Sequence, residues 1–243
     1  MECGGKRSAT PLFLALPANF RAGIRGKAAS RFACRRTPYF PIDSFHRTIL
    51  NQSKDVLLET DRLYLRRLWP EDVGLLVDLD SDPEVMRFIS KGQPTPLARM
   101  QNEYLPRILS YYRSWPPQGF WIAHLRATDE LIGWFHLRPD KMQPDEMELG
   151  YRLKRNVWGR GLATEGSREL IQKAFGPWGY QKVCARTLVV NLASRRVMEK
   201  AGLSFEHEFV WGLDVLPGWS AEERRGVKYS ARNSGAQNSS SAR

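Results

Sequence analysis

Cysteine is scarce in this sequence, and the scarcity excludes two common ways of holding a small fold together. The chain of 243 residues has three cysteines, Cys3, Cys34 and Cys184, spread over its whole length. They are too few and too scattered for a disulfide framework or for the paired spacing of a zinc site, so we expect no metal. Cys184 lies in an apolar stretch that predicts a strand, where a buried and inert thiol is expected. This cysteine usage fits a reducing compartment, and we expect a cytoplasmic protein.

Long apolar runs are also missing. No stretch approaches the roughly 18 residues that a membrane-spanning helix requires, so we expect no association with a membrane. The hydrophobic content of 42% and the eight tryptophans instead indicate a folded domain with a sizeable core.

Acidic residues are scarce in the first 50 positions, which hold nine Lys or Arg against Glu2 and Asp43. Residues 51–211 hold 23 basic against 21 acidic residues, so most of the net charge of +11 lies outside the folded part. A nearly neutral body is not expected to bind nucleic acid. We predict a disordered basic leader at residues 1–54, one folded domain at 55–232 and a disordered tail at 233–243. The leader's composition also leaves open organelle targeting, or a natural product that begins further downstream.

The sequence predicts both strands and helices in the folded part. Apolar and polar residues alternate near residues 63–68, 120–125, 131–137, 146–153, 182–190, 203–211 and 226–230, which predicts strands. Helix signals fall between the first two of these stretches and after Gly161 and Asn191. The pattern predicts an α+β fold in which residues 120–125 and 131–137 form an antiparallel hairpin.

One stretch, residues 146–165, carries the clearest functional signal. Its first half alternates as a strand, with Leu149 on one face and Glu148 on the other. It then turns at Gly159-Arg160-Gly161, and a helix follows. A glycine-rich turn at a helix start presents backbone N–H groups and the positive helix end to an anion. This arrangement predicts a phosphate-holding loop beside two strand carboxylates, and hence a transferase that uses a phosphate-bearing cofactor.

Five segments share the order of a known family, and they lie at residues 58–63, 82–86, 131–133, 148–165 and 191–202. In these segments the chain resembles the GNAT superfamily of acyl-CoA N-acyltransferases, and within it the branch of the ribosomal-protein N-terminal acetyltransferases RimJ and RimL. The resemblance implies a three-layer α+β fold with a mixed, mostly antiparallel central sheet of about six to seven strands flanked by helices, and a splayed strand at the cofactor site. It also implies acetyl-CoA as co-substrate and a small-molecule or protein N-terminal amine as acceptor.

The resemblance also assigns residues to acetyl-CoA. The pyrophosphate is expected at the glycine turn, the pantetheine arm along the strand that ends near Leu153, and the helix start at Asn191 beside that arm. Asn156 departs from the family pattern, which has Gln or Arg there, and Arg155 is a substitute. The full predicted set is Leu149, Tyr151, Leu153, Arg155, Asn156, Val157, Trp158, Gly159, Arg160, Gly161, Leu162, Ala163, Thr164, Asn191, Ser194 and Arg195.

Catalysis of acetyl transfer to an amine needs a group that removes a proton from the attacking nitrogen. Glu148 matches the family's Glu before Leu-Gly-Tyr and is the first candidate, with Glu146 two residues before it on the same strand face. The alternative is that both are solvated residues of an exposed strand face, or that they only bind a cationic acceptor. A plain N-cap is likewise the alternative for Asn191. The general acid is unassigned.

Two further readings stay open at the level of the whole chain. A domain of this kind can bind acyl-CoA in a regulatory role without catalysing transfer, and the basic leader can associate with RNA. The sequence also leaves a homodimer open.

Overall fold

The computed structural model describes residues 55–113 and 118–234. The predicted leader, most of the predicted tail, Cys3 and Cys34 therefore lie outside the described residues. The start of the tail does not: Asn233 donates its backbone N–H to the carbonyl of Gln181, at 2.9 Å, and its side-chain amide to that of Phe175, at 2.9 Å.

A single sheet of eight strands, in the order β1-β2-β3-β4-β5-β6-β8-β7, organises the described residues. All neighbouring strands are antiparallel except β5 and β6, which run parallel. The strands are β1 (Val56–Glu59), β2 (Leu63–Arg67), β3 (Gly119–Leu125), β4 (Leu131–Pro139), β5 (Met147–Leu153), β6 (Lys182–Leu188), β7 (Ser204–Val210) and β8 (Arg225–Arg232).

The predicted mixed, mostly antiparallel sheet flanked by helices is therefore confirmed. The sheet has one strand more than the expected six to seven, because the short segment β1 pairs with β2 at the edge. Leu58 is the one residue of β1 that is fully buried, which leaves too little alternation for a sequence pattern to reveal the strand.

Six α-helical segments flank the sheet among the described residues. They are α1 (Val73–Ser81), α2 (Pro83–Ser90), α3 (Leu97–Arg99), α4 (Leu105–Ser110), α5 (Leu162–Phe175) and α6 (Leu192–Lys200). A π-helical turn, Met100–Tyr104, joins α3 to α4. Pro106 follows two residues after this turn, and its ring nitrogen cannot donate a helical hydrogen bond.

The helices lie on both faces of the sheet. On one face, the ring of Phe135 lies so close to Gly166 of α5 that an added Cβ would meet it at 2.5 Å. On the other face, Arg152 of β5 forms an ion pair with Asp80 of α1. Every residue of β3, β5 and β6 is buried, as expected of strands covered on both sides.

The strand β5 leaves the sheet's regular pairing on one side. It pairs with β4 over its full length, from Met147 to Leu153. With β6 it forms only two residue pairs, Met147 with Val183 and Glu148 with Cys184. Beyond Glu148 the two strands diverge and leave a V-shaped gap between them, which is the predicted splayed strand.

Candidate active site

A cavity of about 430 Å³ lies at the open end of the gap between β5 and β6. The end of β5, the turn after it and the start of α5 form one wall, and one face of α6, from Ala193 to Lys200, forms the other. The lining residues are Leu153, Val157, Trp158, Gly159, Gly161, Leu162, Ala163, Thr164, Ala193, Arg196, Val197 and Lys200. Eight of these, from Leu153 to Thr164, belong to the set predicted from the sequence to bind the cofactor.

The glycine turn has the backbone that a phosphate cradle needs. Gly159 and Gly161 both adopt the left-handed region, with φ of 77° and 78°. Any other residue would be strained there. A Cβ at Gly159 would meet no heavy atom within 4 Å, so the backbone at this point borders open space. Since Gly161 is the N-cap of α5, the first N–H groups of the helix point toward the same cavity wall.

The turn is fastened from two sides. The indole Nε1 of Trp158 donates to the carbonyl of Leu153, at 2.8 Å, which closes the turn back onto its own strand. Arg62, after β1, donates to the carbonyl of Arg160, at 2.9 Å, and through Nε to Glu165 of α5, at 2.6 Å. Thr60 donates to the same carboxylate, at 2.5 Å.

These contacts explain why residues 58–63 share the family pattern although they lie far from the turn in sequence. Burial alone would raise the pKa of Glu165, but the hydrogen bonds from Thr60 and Arg62 outweigh it and lower that pKa. Glu165 is therefore a charged anchor that holds the start of α5 against the turn between β1 and β2.

The residues of α6 that line the cavity differ from the predicted ones, which were Asn191, Ser194 and Arg195. Ala193, Arg196, Val197 and Lys200 follow the spacing i, i+3, i+4 and i+7, so they share one face of the helix. Arg196 and Lys200 place two positive charges opposite the glycine turn. The helical spacing was the sequence signal that could have found them, since α6 itself was predicted.

Some predicted cofactor residues lie elsewhere. Arg155 forms an ion pair with Asp82, at 3.1 Å, and Asn156 donates to Glu130, at 3.1 Å. Both border a separate cavity of about 310 Å³. The side chain that replaces the family's Gln or Arg therefore faces away from the glycine turn. Arg160 is exposed and takes part in the turn through its carbonyl.

The predicted residues of α6 are engaged inside the protein. Asn191 caps the helix by accepting a hydrogen bond from the N–H of Ser194, at 3.2 Å, which is the simpler of its two predicted roles. Arg195 donates to the hydroxyl of Tyr229, at 3.2 Å, and to the carbonyl of Val189, at 3.1 Å. A direct contact of Asn191, Ser194 or Arg195 with a cofactor stays a prediction.

Leu149 and Tyr151 border the gap on the face covered by α5 and α6. The hydroxyl of Tyr151 lies 3.1 Å from that of Ser194, and so bridges β5 to α6 across the gap. Tyr151 is fully buried, and burial raises its pKa, with only partial compensation from Ser194. The phenol therefore stays protonated and serves as a hydrogen-bonding strut.

The two candidate bases are not solvated residues of an exposed face. Glu148 is 4% exposed and pairs with Arg138 on β4, which is also buried. It belongs to the last residue pair before β5 and β6 diverge, at the apex of the gap. Its side chain lies on the same strand face as Arg152, opposite to the face of Leu149.

Glu146 sits in a different setting. Its carboxylate pairs with Lys182 at 2.8 Å and with Lys228 at 2.8 Å. Burial alone would raise the pKa of Glu146, but the hydrogen bonds from the two lysines prevail and lower it. A carboxylate held by cations is a weak proton acceptor, and this applies to Glu148 beside Arg138 as well. The two candidates differ in position, since Glu148 lies at the apex of the gap and Glu146 lies before it. The role of either as a base stays a prediction.

Cys184, the partner of Glu148 across the apex, is fully buried. Burial raises the pKa of its thiol, and the nearby negative charges of Glu148 and Glu146 raise it further. An uncharged thiol is a poor nucleophile, in agreement with the inert role expected of it.

A second cavity, of about 450 Å³, lies on the other side of β5. Its walls are the end of α2, the segment between α2 and α3, the π-helical turn and the loop between β7 and β8. The walls include Met86, Ile89, Gln93, Pro94, Thr95, Tyr104, Asp214, Val215 and Trp219, with Asp80 and Arg152 among the buried residues. Since Arg152 lines this cavity and Leu153 lines the first, adjacent residues of one strand face the two cavities.

Within residues 55–113 and 118–234, no group of three or more His, Cys, Asp or Glu could hold a metal ion. No helix of the same residues has the length and apolar character needed to cross a membrane.

Comparison with known proteins gives consistent family matches. The family described as "Acetyltransferase (GNAT) domain" matches residues 62–204. The FsC-acetyl coenzyme A-N(2)-transacetylase of Aspergillus fumigatus is 33% identical over 170 residues, which cover 66% of this chain and 70% of that protein. The family match thus includes every residue that lines the first cavity, and those residues of the second that lie before residue 204.

Solved structures share the fold at lower identity. The GNAT-family acetyltransferase of Bacillus anthracis has a TM-score of 0.59 and 19% identity, covering 72% of this chain and 98% of that one. The microcin C7 self-immunity acetyltransferase MccE, solved with acetyl-CoA and AMP, has a TM-score of 0.61 and 15% identity, with coverages of 75% and 99%. The narrower resemblance to the RimJ and RimL branch stays a prediction.

Proposed function

Since this chain belongs to the GNAT family of acetyltransferases, we propose that it transfers the acetyl group of acetyl-CoA to an amine nitrogen. The observation that carries the proposal is the cavity in the gap between β5 and β6, bounded by two left-handed glycines and two cations. A relative of 33% identity bears the name N(2)-transacetylase, which supports nitrogen as the accepting atom.

The first cavity fits the phosphate end of acetyl-CoA. The backbone N–H groups at Gly161 and the start of α5 would donate hydrogen bonds to the pyrophosphate oxygens, and Arg196 and Lys200 would add positive charge from the opposite wall. The thioester would then lie deeper in the gap, along the edge of β5 from Leu153 toward Leu149. That edge has no strand partner beyond Glu148, so its amide groups are available to a ligand.

The second cavity fits the acceptor. It lies across β5 from the first, so an amine entering it approaches the gap from the side opposite to α5 and α6. Its volume of about 450 Å³ is in the usual range for small-molecule sites. Its aromatic and acidic lining, with Tyr104, Trp219 and Asp214, suits a cationic amine, and we favour a small molecule over a protein N-terminus.

The chemistry is a direct transfer. The amine enters as a cation and loses one proton to solvent. The neutral amine then attacks the thioester carbon, the nitrogen–carbon bond forms, the carbon–sulfur bond breaks, and coenzyme A leaves as the thiolate. Glu148 accepts the second proton that the nitrogen loses, because it is the carboxylate at the apex of the gap on the acceptor's side of β5. Glu148 then passes this proton through water to the thiolate, which restores the carboxylate.

The test combines binding with turnover. Isothermal titration measures the Kd for acetyl-CoA, and a thiol assay measures coenzyme A release with a panel of lysine, putrescine, kanamycin and an alanine-initiated hexapeptide. Mass spectrometry then shows whether the accepting amine gains an acetyl group. The wild type should bind acetyl-CoA and acetylate at least one panel amine.

Glu148→Gln tests the assigned base. Removing it should lower kcat by about 100-fold or more while the Kd for acetyl-CoA changes little. Because the substitution also leaves Arg138 without its buried partner charge, the Tm of the variant must be measured beside kcat. An unchanged kcat in a folded variant would exclude Glu148 as the base.

One observation favours a second function. Both candidate carboxylates are held by cations, Glu148 by Arg138 and Glu146 by Lys182 and Lys228, as in a domain that binds acyl-CoA without catalysis. Tight acetyl-CoA binding together with no coenzyme A release on any panel amine would establish that function instead.

A further inference from the structure

A buried hydrogen-bonded triad joins three separate elements beside the second cavity. Asp80 of α1 accepts a hydrogen bond from the hydroxyl of Thr95, at 2.6 Å, through one carboxylate oxygen. Its other oxygen accepts from Arg152 of β5. Asp80 is 1% exposed, Arg152 2% and Thr95 8%.

Thr95 is the one buried residue of an exposed segment, residues 93–96. Residues 91–96 connect α2 to α3, and they begin with two left-handed positions, Lys91 and Gly92. Gln93, Pro94 and Pro96 are exposed, while Thr95 turns inward to Asp80. The segment supplies one wall of the second cavity through residues 93–96. The hydroxyl of Thr95 therefore attaches that wall to the protein interior.

The triad connects this wall to the strand that borders both cavities. Arg152 lies next to Leu153, which lines the cavity assigned to acetyl-CoA. A hydrogen bond to a buried charged group is strong, and losing one partner leaves the other without compensation. The position of the wall relative to the cofactor strand thus depends on Asp80 being held on both of its oxygens.

We propose that Thr95, Asp80 and Arg152 are positioning residues that set the affinity for the acceptor by holding residues 93–96 against β5. The inference rests on the proposed acetyl transfer. None of the three residues needs to touch a reacting atom, since the triad acts through the shape of the second cavity.

Thr95→Val tests the inference, because valine keeps the volume of threonine and removes only the hydroxyl. With the panel amine that gives the highest wild-type rate, the KM for the amine should rise about tenfold. The kcat and the Kd for acetyl-CoA should stay within about twofold. Thr95→Ser is the matched control, since it keeps the hydroxyl, and its KM should stay near that of the wild type.

Several outcomes would overturn the inference. A wild-type KM in Thr95→Val would show that the wall is held by other contacts. An equal loss of acetyl-CoA affinity, accompanied by a lowered Tm, would show a general structural role. If the wild type acetylates no amine, the proposed function fails first and the inference fails with it, whereas a functional wild type lets Thr95→Val decide alone.

Discussion

At the scale of single residues, Lys141 is a lysine whose pKa lies far below its ordinary value. Burial, followed by the positive charges of Arg138 and Arg107, lowers this pKa to about 7, against partial compensation from Glu148 and Asp214. Below pH 7 the lysine is charged in both the folded and the unfolded protein, and folding bears the full cost of burying the charge. Between pH 7 and the ordinary value of 10.5, only the unfolded chain stays protonated, so the cost decreases as the pH rises.

Lys141→Met should therefore stabilise the protein most at low pH. We expect its Tm to exceed that of the wild type by about 5 °C at pH 6, and the difference to shrink toward zero near pH 10. Differential scanning calorimetry of both proteins across this range measures the effect. If the difference in Tm between the two proteins does not depend on pH, then the charge of Lys141 does not destabilise the folded protein.

At the scale of the elements, the turn between β5 and α5 permits a matched comparison of two glycines. Gly159, at the first cavity, and Gly179, between α5 and β6, have φ of 77° and 68°, and an added Cβ would meet no heavy atom within 4 Å at either. Alanine should cost both positions about 1–2 kcal/mol of stability through the left-handed backbone. Only Gly159→Ala should also weaken acetyl-CoA binding, by about tenfold or more, because its Cβ enters the space assigned to the cofactor.

Titration calorimetry with acetyl-CoA distinguishes the two variants, and the Tm of each reports the shared strain. If Gly159→Ala and Gly179→Ala bind acetyl-CoA with equal affinity, the glycine turn is not part of the cofactor site.

The strand β5 and the turn after it also show which features of the site could be predicted from the sequence. The alternation of residues 146–153, the glycine turn and the helix after it were predicted, because each depends on neighbours in the chain. The ion pairs of Glu146 and Glu148 were not, because their partners come from β4, β6 and β8, and only the fold brings these strands together. For this reason the sequence left open that Glu146 and Glu148 lie on an exposed strand face, whereas both are buried in the structure.

The second cavity shows the same limit. It is built from four segments between residue 86 and residue 219, together with Asp80 and Arg152, and none of these has a local pattern that indicates an acceptor site. Arg196 and Lys200 are an intermediate case, since the helix was predicted but not which of its faces borders the gap.

At the scale of the whole molecule, a cluster of ion pairs fastens the two parts of the sheet. Glu146, just before β5, pairs with Lys182 of β6 and Lys228 of β8, and both lysines also pair with Glu206 of β7. The cluster crosses the place where β5 and β6 share only two residue pairs. It therefore supports the sheet where the backbone pairing is weakest.

The cluster should make stability sensitive to acid. Burial alone would raise the pKa of Glu206, but hydrogen bonds from Ser230, Lys182 and Lys228 outweigh it and bring the pKa down to about 2. Its contribution is complete above the ordinary value of 4.5 and is lost as the pH falls from 4.5 toward 2. At pH 7, Glu206→Gln should lower the Tm by about 3–6 °C.

Thermal melts between pH 2.5 and pH 7 check this expectation, with Glu208→Gln, on the same strand, as the control outside the cluster. The Tm values of Glu206→Gln and the wild type should converge at the acid end. A gap between them that persists unchanged to pH 2.5 would contradict the assignment of the effect to this ionisation.

The short pairing between β5 and β6 has a consequence for the pace of turnover. Because the sheet is already parted beyond Glu148, a ligand can enter and leave the gap without breaking any strand-to-strand hydrogen bond. The ion pairs of Glu146 with Lys182 and Lys228 lie at the closed end of the gap and hold the two strands in this separated arrangement. In the proposed transfer, the free energy of binding acetyl-CoA is then available for orienting the acetyl group, since none of it is needed to separate the two strands.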